Sequence, residues 1–179
     1  NDALVGLYAL ADTLDRNVQD FGLVVGREMR VVINDELAKL KQLSGWRGFK
    51  SAEVPMLFPA SEGAAGLERA LDDLFNRATM EIERGANLII LSHRGIDSKL
   101  APIPSLLATA GLHHHLVRQG VRTRAGLVLE CADAREVHHF SLLLGYGAGS
   151  INPYLAFESL DDMVHHRQVK DGVDHFEAV

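Results

Sequence analysis

The run "ANLIILS", Ala86 to Ser92, is the stretch that most limits what this chain can become. An unbroken apolar run of strand length offers no polar face to water, so both of its faces must be covered, and a parallel sheet flanked by helices is the usual way to cover them. "RAGLVLE", Arg124 to Glu130, has the same character. Helical patterns surround both runs. "AEVPMLF", closed by Pro59, precedes "SEGAAGLERALDDLFNRATMEIERG", where Leu67, Leu71, Leu74, Phe75, Ala78 and Ile82 recur at helical spacing and Gly85 stands in the C-cap position. After "ANLIILS" comes a polar loop, "HRGIDSKLAPI", and then a helix from Pro104 to about Gln119, stopped by Gly120. "RAGLVLE" leads to a helix with Asp133 as N-cap and Glu136 in capping-box register. "GSIN" reads as a fourth short strand, followed by "PYLAFESLDDMVHHRQ" as its helix. The expected fold class is therefore α/β, a parallel sheet of repeated β-α units with helices packed on it.

Helices are expected ahead of this alternation. "DALVGLYALADTLDRNVQDF" reads as one helix and "NDELAKLKQL" as a second, capped by Asn34 or Asp35. "SGWRGF" reads as a connector whose Trp46 and Phe49 serve as apolar anchors.

A length of 179 residues suits one domain, and 47% hydrophobic with 23% charged residues suits a folded core. The net charge of -6 and the lack of a basic cluster argue against nucleic acid and against an anionic membrane surface. Cys131 is the only cysteine, which excludes an internal disulfide and points to a reducing, cytoplasmic setting. No apolar run approaches the roughly 20 residues of a membrane helix. The chain opens on "NDALVG" without Met, and a piece of a longer protein is expected.

Imidazoles are the conspicuous chemistry: His113, His114 and His115 in succession, with the doublets His138-His139 and His165-His166. Adjacent helical residues diverge by about 100°, so one metal cannot reach all three of the triplet, and no ligand type stands one turn further on. A metal-dependent α/β hydrolase with a multi-histidine site remains the alternative reading, through ligands gathered from several helices. Ser92 lacks the glycine frame of a nucleophile elbow, and Cys131 reads as a small core residue. "GYGAG", Gly145 to Gly149, follows a helix, so a helix cap and turn explain it better than a phosphate loop does. The stronger candidate is "SHRGIDSKLAPIPS". It leaves a strand at the carboxyl edge, where α/β sheets bind ligands, and carries Arg94, Asp97 and Lys99; Ser150 and Asn152 are expected on the same edge.

The strings "FPASEGAAGLERALDDL", "LIILSHRGID", "APIPSLLATAGLHHHLVRQGVRTRAGLVLE" and "AREVHHFSLLLGYGAGSINPYLAFESL" closely resemble the central domain of the glutamate synthase large subunit. The resemblance runs from about Phe49 to the end and divides the chain into an N-terminal helical segment and connector, 1-48, and an α/β central domain, 49-179. It implies a parent that turns L-glutamine and 2-oxoglutarate into two L-glutamates using a reduced electron donor. It further implies an amidotransferase domain on one side, and on the other an FMN-binding synthase domain with an iron-sulfur cluster. The central domain would connect the two active sites and line part of an ammonia tunnel. No catalytic, cofactor-binding or metal-ligating residue of the family falls in this chain. Arg94, Asp97, Lys99, His113, His114, Ser150 and Asn152 become expected interdomain or ligand-edge contacts. Two departures stand out: the Ser-Pro ahead of "MRVVINDELAKLKQL" is missing, and His93 replaces the Asp of "LSDRG".

Overall fold

A computed structural model describes residues 30–166. The first expected helix, in "DALVGLYALADTLDRNVQDF", lies outside the described residues. In chain order the elements are β1 (Arg30–Val31), α1 (Asn34–Lys41), β2 (Ser44–Trp46), β3 (Phe49–Pro55), β4 (Leu57–Pro59), α2 (Gly63–Glu83), β5 (Leu88–Ser92) and β6 (Leu100–Pro102). They continue with α3 (Ser105–Arg118), β7 (Gly126–Glu130), α4 (Val137–Gly145), β8 (Ser150–Asn152) and α5 (Tyr154–His165).

The main sheet has the order β1-β8-β7-β5-β3-β2. Every pair is parallel except β2 with β3. From β3 the chain steps one strand at a time in a single direction, and right-handed crossovers then place the connecting helices on one face. That face buries Val54, Ile89, Leu91 and Leu127 against Leu74, Ala78 and Ile82 of α2 and Ala108, Leu112 and Leu116 of α3. Beside them Leu129 and Ile151 pack on Phe140 and Leu143 of α4. The opposite face buries Leu88, Ile90 and Val128 against Leu37, with Leu40 beside them, so α1 is its cover. Both faces of β5 are buried, as its continuous apolar run requires, and each such Leu or Ile contributes roughly 1.5–3 kcal/mol.

Helices α2, α3 and α4 end alike. Gly85, Gly120 and Gly147 take φ of 91°, 69° and 113°, and the next residue's N–H bonds back to Glu81, Leu116 and Leu143 respectively. This is the Schellman closure, in which a left-handed residue lets the chain turn sharply into the next strand. "GYGAG" is thus the end of a helix.

Four local expectations are corrected. "SGWRGF" is a hairpin, in which Trp46 faces Phe49 across Arg47-Gly48, and Trp46 stays 60% exposed without anchoring a core. Neither Asn34 nor Asp35 caps α1: Ile33 holds the cap position, and Asn34 Oδ1 accepts from the Asn152 amide. Asp133 and Glu136 make no side-chain cap on α4. Asp133 serves α3, taking the Ser105 N–H at 3.0 Å and the Ser105 hydroxyl at 2.7 Å, because Pro104 in front of that helix has no side-chain acceptor. Finally, the loop after β5 contains β6, which pairs antiparallel with β4.

Candidate functional site at the carboxyl edge

Parallel register sets Ser92, Glu130 and Asn152 beside one another on adjacent strands β5, β7 and β8. Side chains alternate along a strand, so these three share the face of Leu88, Ile90 and Val128, which α1 covers. All three are buried: Asn152 is 0% and Glu130 only 3% exposed. A carboxylate so placed must be paired.

Glu130 is paired on both oxygens. Its Oε2 accepts from the Ser92 hydroxyl at 2.5 Å and from Lys41 Nζ at 2.7 Å, and its Oε1 accepts from Arg94 Nε at 3.1 Å. Burial alone would raise its pKa, but the hydrogen bonds from Lys41, Ser92 and Arg94 outweigh it and hold the carboxyl below its ordinary value. Lys41, the last residue of α1, also pairs with Glu53 of β3 at 3.1 Å. Burial acts to lower its pKa, yet Glu130 and Glu53 bring it above the usual lysine value. Arg94 reaches Glu158 of α5 at 2.6 Å, and its guanidinium carbon lies 3.8 Å from the centre of the Tyr154 ring.

The result is one ionic hub that joins α1, three strands and α5. Every donor aimed at Glu130 is engaged, so its chemistry is that of a fixed anion holding cations in place and not that of a free base. Asn152 extends the row by donating to Val32 O at 2.7 Å and to Asn34 Oδ1 at 3.0 Å. His93 sits directly behind the hub. Its Nε2 meets Ile103 O at 2.7 Å and its Nδ1 accepts the Ala132 N–H at 3.2 Å, an arrangement that selects the neutral Nε2–H tautomer. His93 thus bridges two backbone groups, and Arg94 takes Glu130 and Glu158 as partners.

Among the sequence-predicted residues, Arg94 and Asn152 come to this edge together. Asp97 does not join them. It caps its own loop, accepting the Lys99 and Leu100 N–H groups at 2.7 Å each, and those bonds lower its pKa. Lys99 is exposed and contributes its backbone, with its carbonyl accepting from Ala60 N–H. Ser150 opens β8, two residues before Asn152, and so stands at the other end of the strand.

The histidine triplet fans out as helical geometry requires. His113 Nδ1 accepts from Arg122 Nε at 3.0 Å; burial, and then the Arg122 charge, lowers its pKa. His115 turns the other way, stacking on Phe75 and meeting Thr79 Oγ1 at 3.1 Å. His114 alone is exposed. Among the described residues no group of three His, Cys, Asp or Glu side chains is arranged to hold a metal ion. Cys131 is fully buried and its thiol is pushed up to about 12, chiefly by burial.

Sequence reading missed Lys41, Glu130 and Glu158. The signal for Glu130 was present: an acidic residue closing a strand that is apolar on both faces has to find cations nearby.

The family model described as the glutamate synthase central domain matches residues 12–178. The NADPH glutamate synthase large chain of Bacillus subtilis is 43% identical over 127 residues, covering 71% of this chain and 8% of that protein. The NADH glutamate synthase of Schizosaccharomyces pombe is 39% identical over 131 residues, covering 73% of this chain and 6% of that protein. Ferredoxin-dependent glutamate synthase 2 of Synechocystis is 42% identical over 113 residues, covering 61% and 7% respectively. The chain thus spans less than a tenth of the length of these relatives. It belongs to the glutamate synthase central domain family.

Proposed function

We propose that the chain is the structural and ammonia-channelling central domain of a glutamate synthase whose parent makes two L-glutamates from L-glutamine and 2-oxoglutarate with a reduced electron donor. The observation that carries this is the coverage: relatives named as glutamate synthases match most of this chain with only 6–8% of their own length. The hub supports a scaffolding role, since its carboxylate is saturated by cations. Its partners are the amidotransferase and FMN-binding synthase domains of the same parent. Residues 49-179 act as the run of β-α units, and β1, α1 and β2 from 1-48 complete its sheet and cover one of its faces. Arg94 and the exposed His114 lie on the surfaces that meet those neighbours, in a cytoplasmic enzyme, while the buried Asn152 holds β1 and α1 in place behind them.

The parent's FMN and iron-sulfur cluster do not fit this domain. A cluster needs several thiolates, and the one cysteine here is buried with its thiol held protonated. The N-terminus of α3, where an α/β sheet would cradle a flavin phosphate, is taken by the Asp133 carboxylate. Both groups belong to the synthase domain.

The test is made in the full-length parent carrying Glu130→Gln, at a temperature where the variant stays folded. If the domain channels ammonia, glutamine hydrolysis continues while glutamate formation falls and free ammonia appears in solution. Hydrolysis and synthesis that remain coupled one to one would refute the reading.

A further inference from the structure

The amino edge of the sheet, opposite the hub, presents the β2-β3 hairpin. Its two-residue turn, Arg47-Gly48, has positive φ at both positions, 50° and 83°. Such a turn favours Asn or Gly at the first place, and Arg47 is the one non-glycine residue with positive φ among the described residues. Its guanidinium carbon lies 4.8 Å from the Trp46 ring centre. The hairpin is held firmly: Asn87 Nδ2 donates to Gly48 O at 2.7 Å, and Asn87 Oδ1 accepts the Lys50 N–H at 2.9 Å. The indole is thus displayed on a rigid tip and remains 60% exposed.

The surroundings are basic. Lys50 Nζ reaches Arg84 O at 2.9 Å, and Arg124 reaches Ile82 O at 3.5 Å, which gathers Arg47, Lys50, Arg84 and Arg124 at this edge against Glu81, which pairs with Arg84 at 2.8 Å, and Glu83. The chain as a whole carries -6. A cationic patch centred on an exposed Trp in an acidic chain has the composition of an interface anchor, where Trp and Arg concentrate binding energy and opposite charge on the partner sets orientation.

We propose that this hairpin docks in a carboxylate-rimmed apolar recess on a neighbouring domain of the same parent chain, with Trp46 as the buried anchor and Arg47, Lys50, Arg84 and Arg124 as its ionic rim. The proposal rests on the reading of this chain as one domain of a longer glutamate synthase. Two observations favour such an occupant: the charge contrast, and the more than nine-tenths of each relative that lies outside the match.

Trp46 is the only tryptophan in the chain, so its oxidation by hydroxyl radicals, read by mass spectrometry, reports this site directly in the 179-residue protein and by its own peptide in the full-length parent. The expected result is rapid oxidation in the 179-residue chain and a severalfold slower rate in the parent. Charge reversal in the parent, R47E with R84E, should return the rate to that of the isolated chain. Equal rates in chain and parent would overturn the proposal. So would protection already present in the isolated chain, which would make residues 1-29 the occupant, or protection in the parent that ignores charge reversal. Glutamine-dependent glutamate formation by the same preparation judges the functional reading separately: an inactive parent with a protected Trp46 would remove that reading and leave the docking surface.

Discussion

Replacing Glu130 by Gln should be the most informative single change. The amide keeps the shape but removes the charge, and its NH2 must face one of the donors that Glu130 now accepts, Ser92, Lys41 or Arg94. Removing one partner of a buried ion pair costs about 3–5 kcal/mol when the other charge is left unpaired. Here the loss is moderated, because Lys41 keeps Glu53 and Arg94 keeps Glu158, and because both cations are partly solvated. An expected cost of about 3 kcal/mol follows, dominated by lost hydrogen bonds to a charged acceptor. For a domain of this size that is about 6–12 °C in Tm. Urea unfolding followed by far-UV circular dichroism is the suitable assay, since Trp46 is exposed in the native state and reports folding poorly. Glu53→Gln, which removes only the more exposed carboxylate, should cost no more than about 0.5 kcal/mol. The acid limb provides a second reading. Glu130 has its folded pKa depressed, so its contribution is present above the unfolded value, near ~4.3, and is lost as pH falls through the folded value. E130Q should therefore flatten the acid limb. A variant within about 0.5 kcal/mol of the original, with an unchanged acid limb, would show that the carboxylate is solvated and the hub unformed.

Other changes separate neighbouring mechanisms. Gly147→Ala should destabilise by about 2 kcal/mol or more, because φ is 113° and the new Cβ would lie 2.3 Å from His113 Nδ1, whereas Gly145→Ala, with open space and ordinary φ, should stabilise by about 0.5–1 kcal/mol; thermal melts compare the pair. Asp133→Ala should cost about 1 kcal/mol in the same melts by uncapping α3, although the residue lies outside that helix. Cys131 should react with a disulfide reagent only as fast as the chain opens, and labelling of the native protein at the rate of a free thiol would contradict its burial. His113 has its folded pKa lowered, so folding favours the neutral ring and stability should decline as pH falls below the unfolded value of about 6.5; an NMR midpoint for His113 above that value would refute the Arg122 contact.

The α/β architecture was legible because periodicity reports burial: the apolar runs of β5 and β7 could only be strands covered on both faces, and Gly85 and Gly120 marked where α2 and α3 stop. Local patterns were less reliable where a distant residue supplied the partner. Asp133 had the right spacing to cap α4, but it faces α3, whose N-terminus lacks an acceptor of its own, and only the packing of β7 beside β5 brings the two together. The candidate site was half legible. Arg94 follows the end of β5 and Asn152 closes β8, so both could be placed on one edge. Lys41 lies 89 positions from Glu130, and no local signal links them. Asp97 and Lys99, three and five positions after Arg94, belong to a turn that Asp97 closes on the Lys99 and Leu100 N–H groups.

The pairing of β1 with β8 has a kinetic consequence. Val32 O is bonded to the Asn152 amide across 120 positions, while each β-α step from β3 onward closes a much shorter loop. Short loops close early and at low entropic cost. As the chain leaves the ribosome, β3 to β7 can therefore assemble in order of synthesis, but among the described residues the partner of β1 is β8, which emerges last of the strands. Completion of the sheet at that edge becomes a late event, whereas α1 can settle on β5 and β7, whose Leu88, Ile90 and Val128 it covers, before β8 is made.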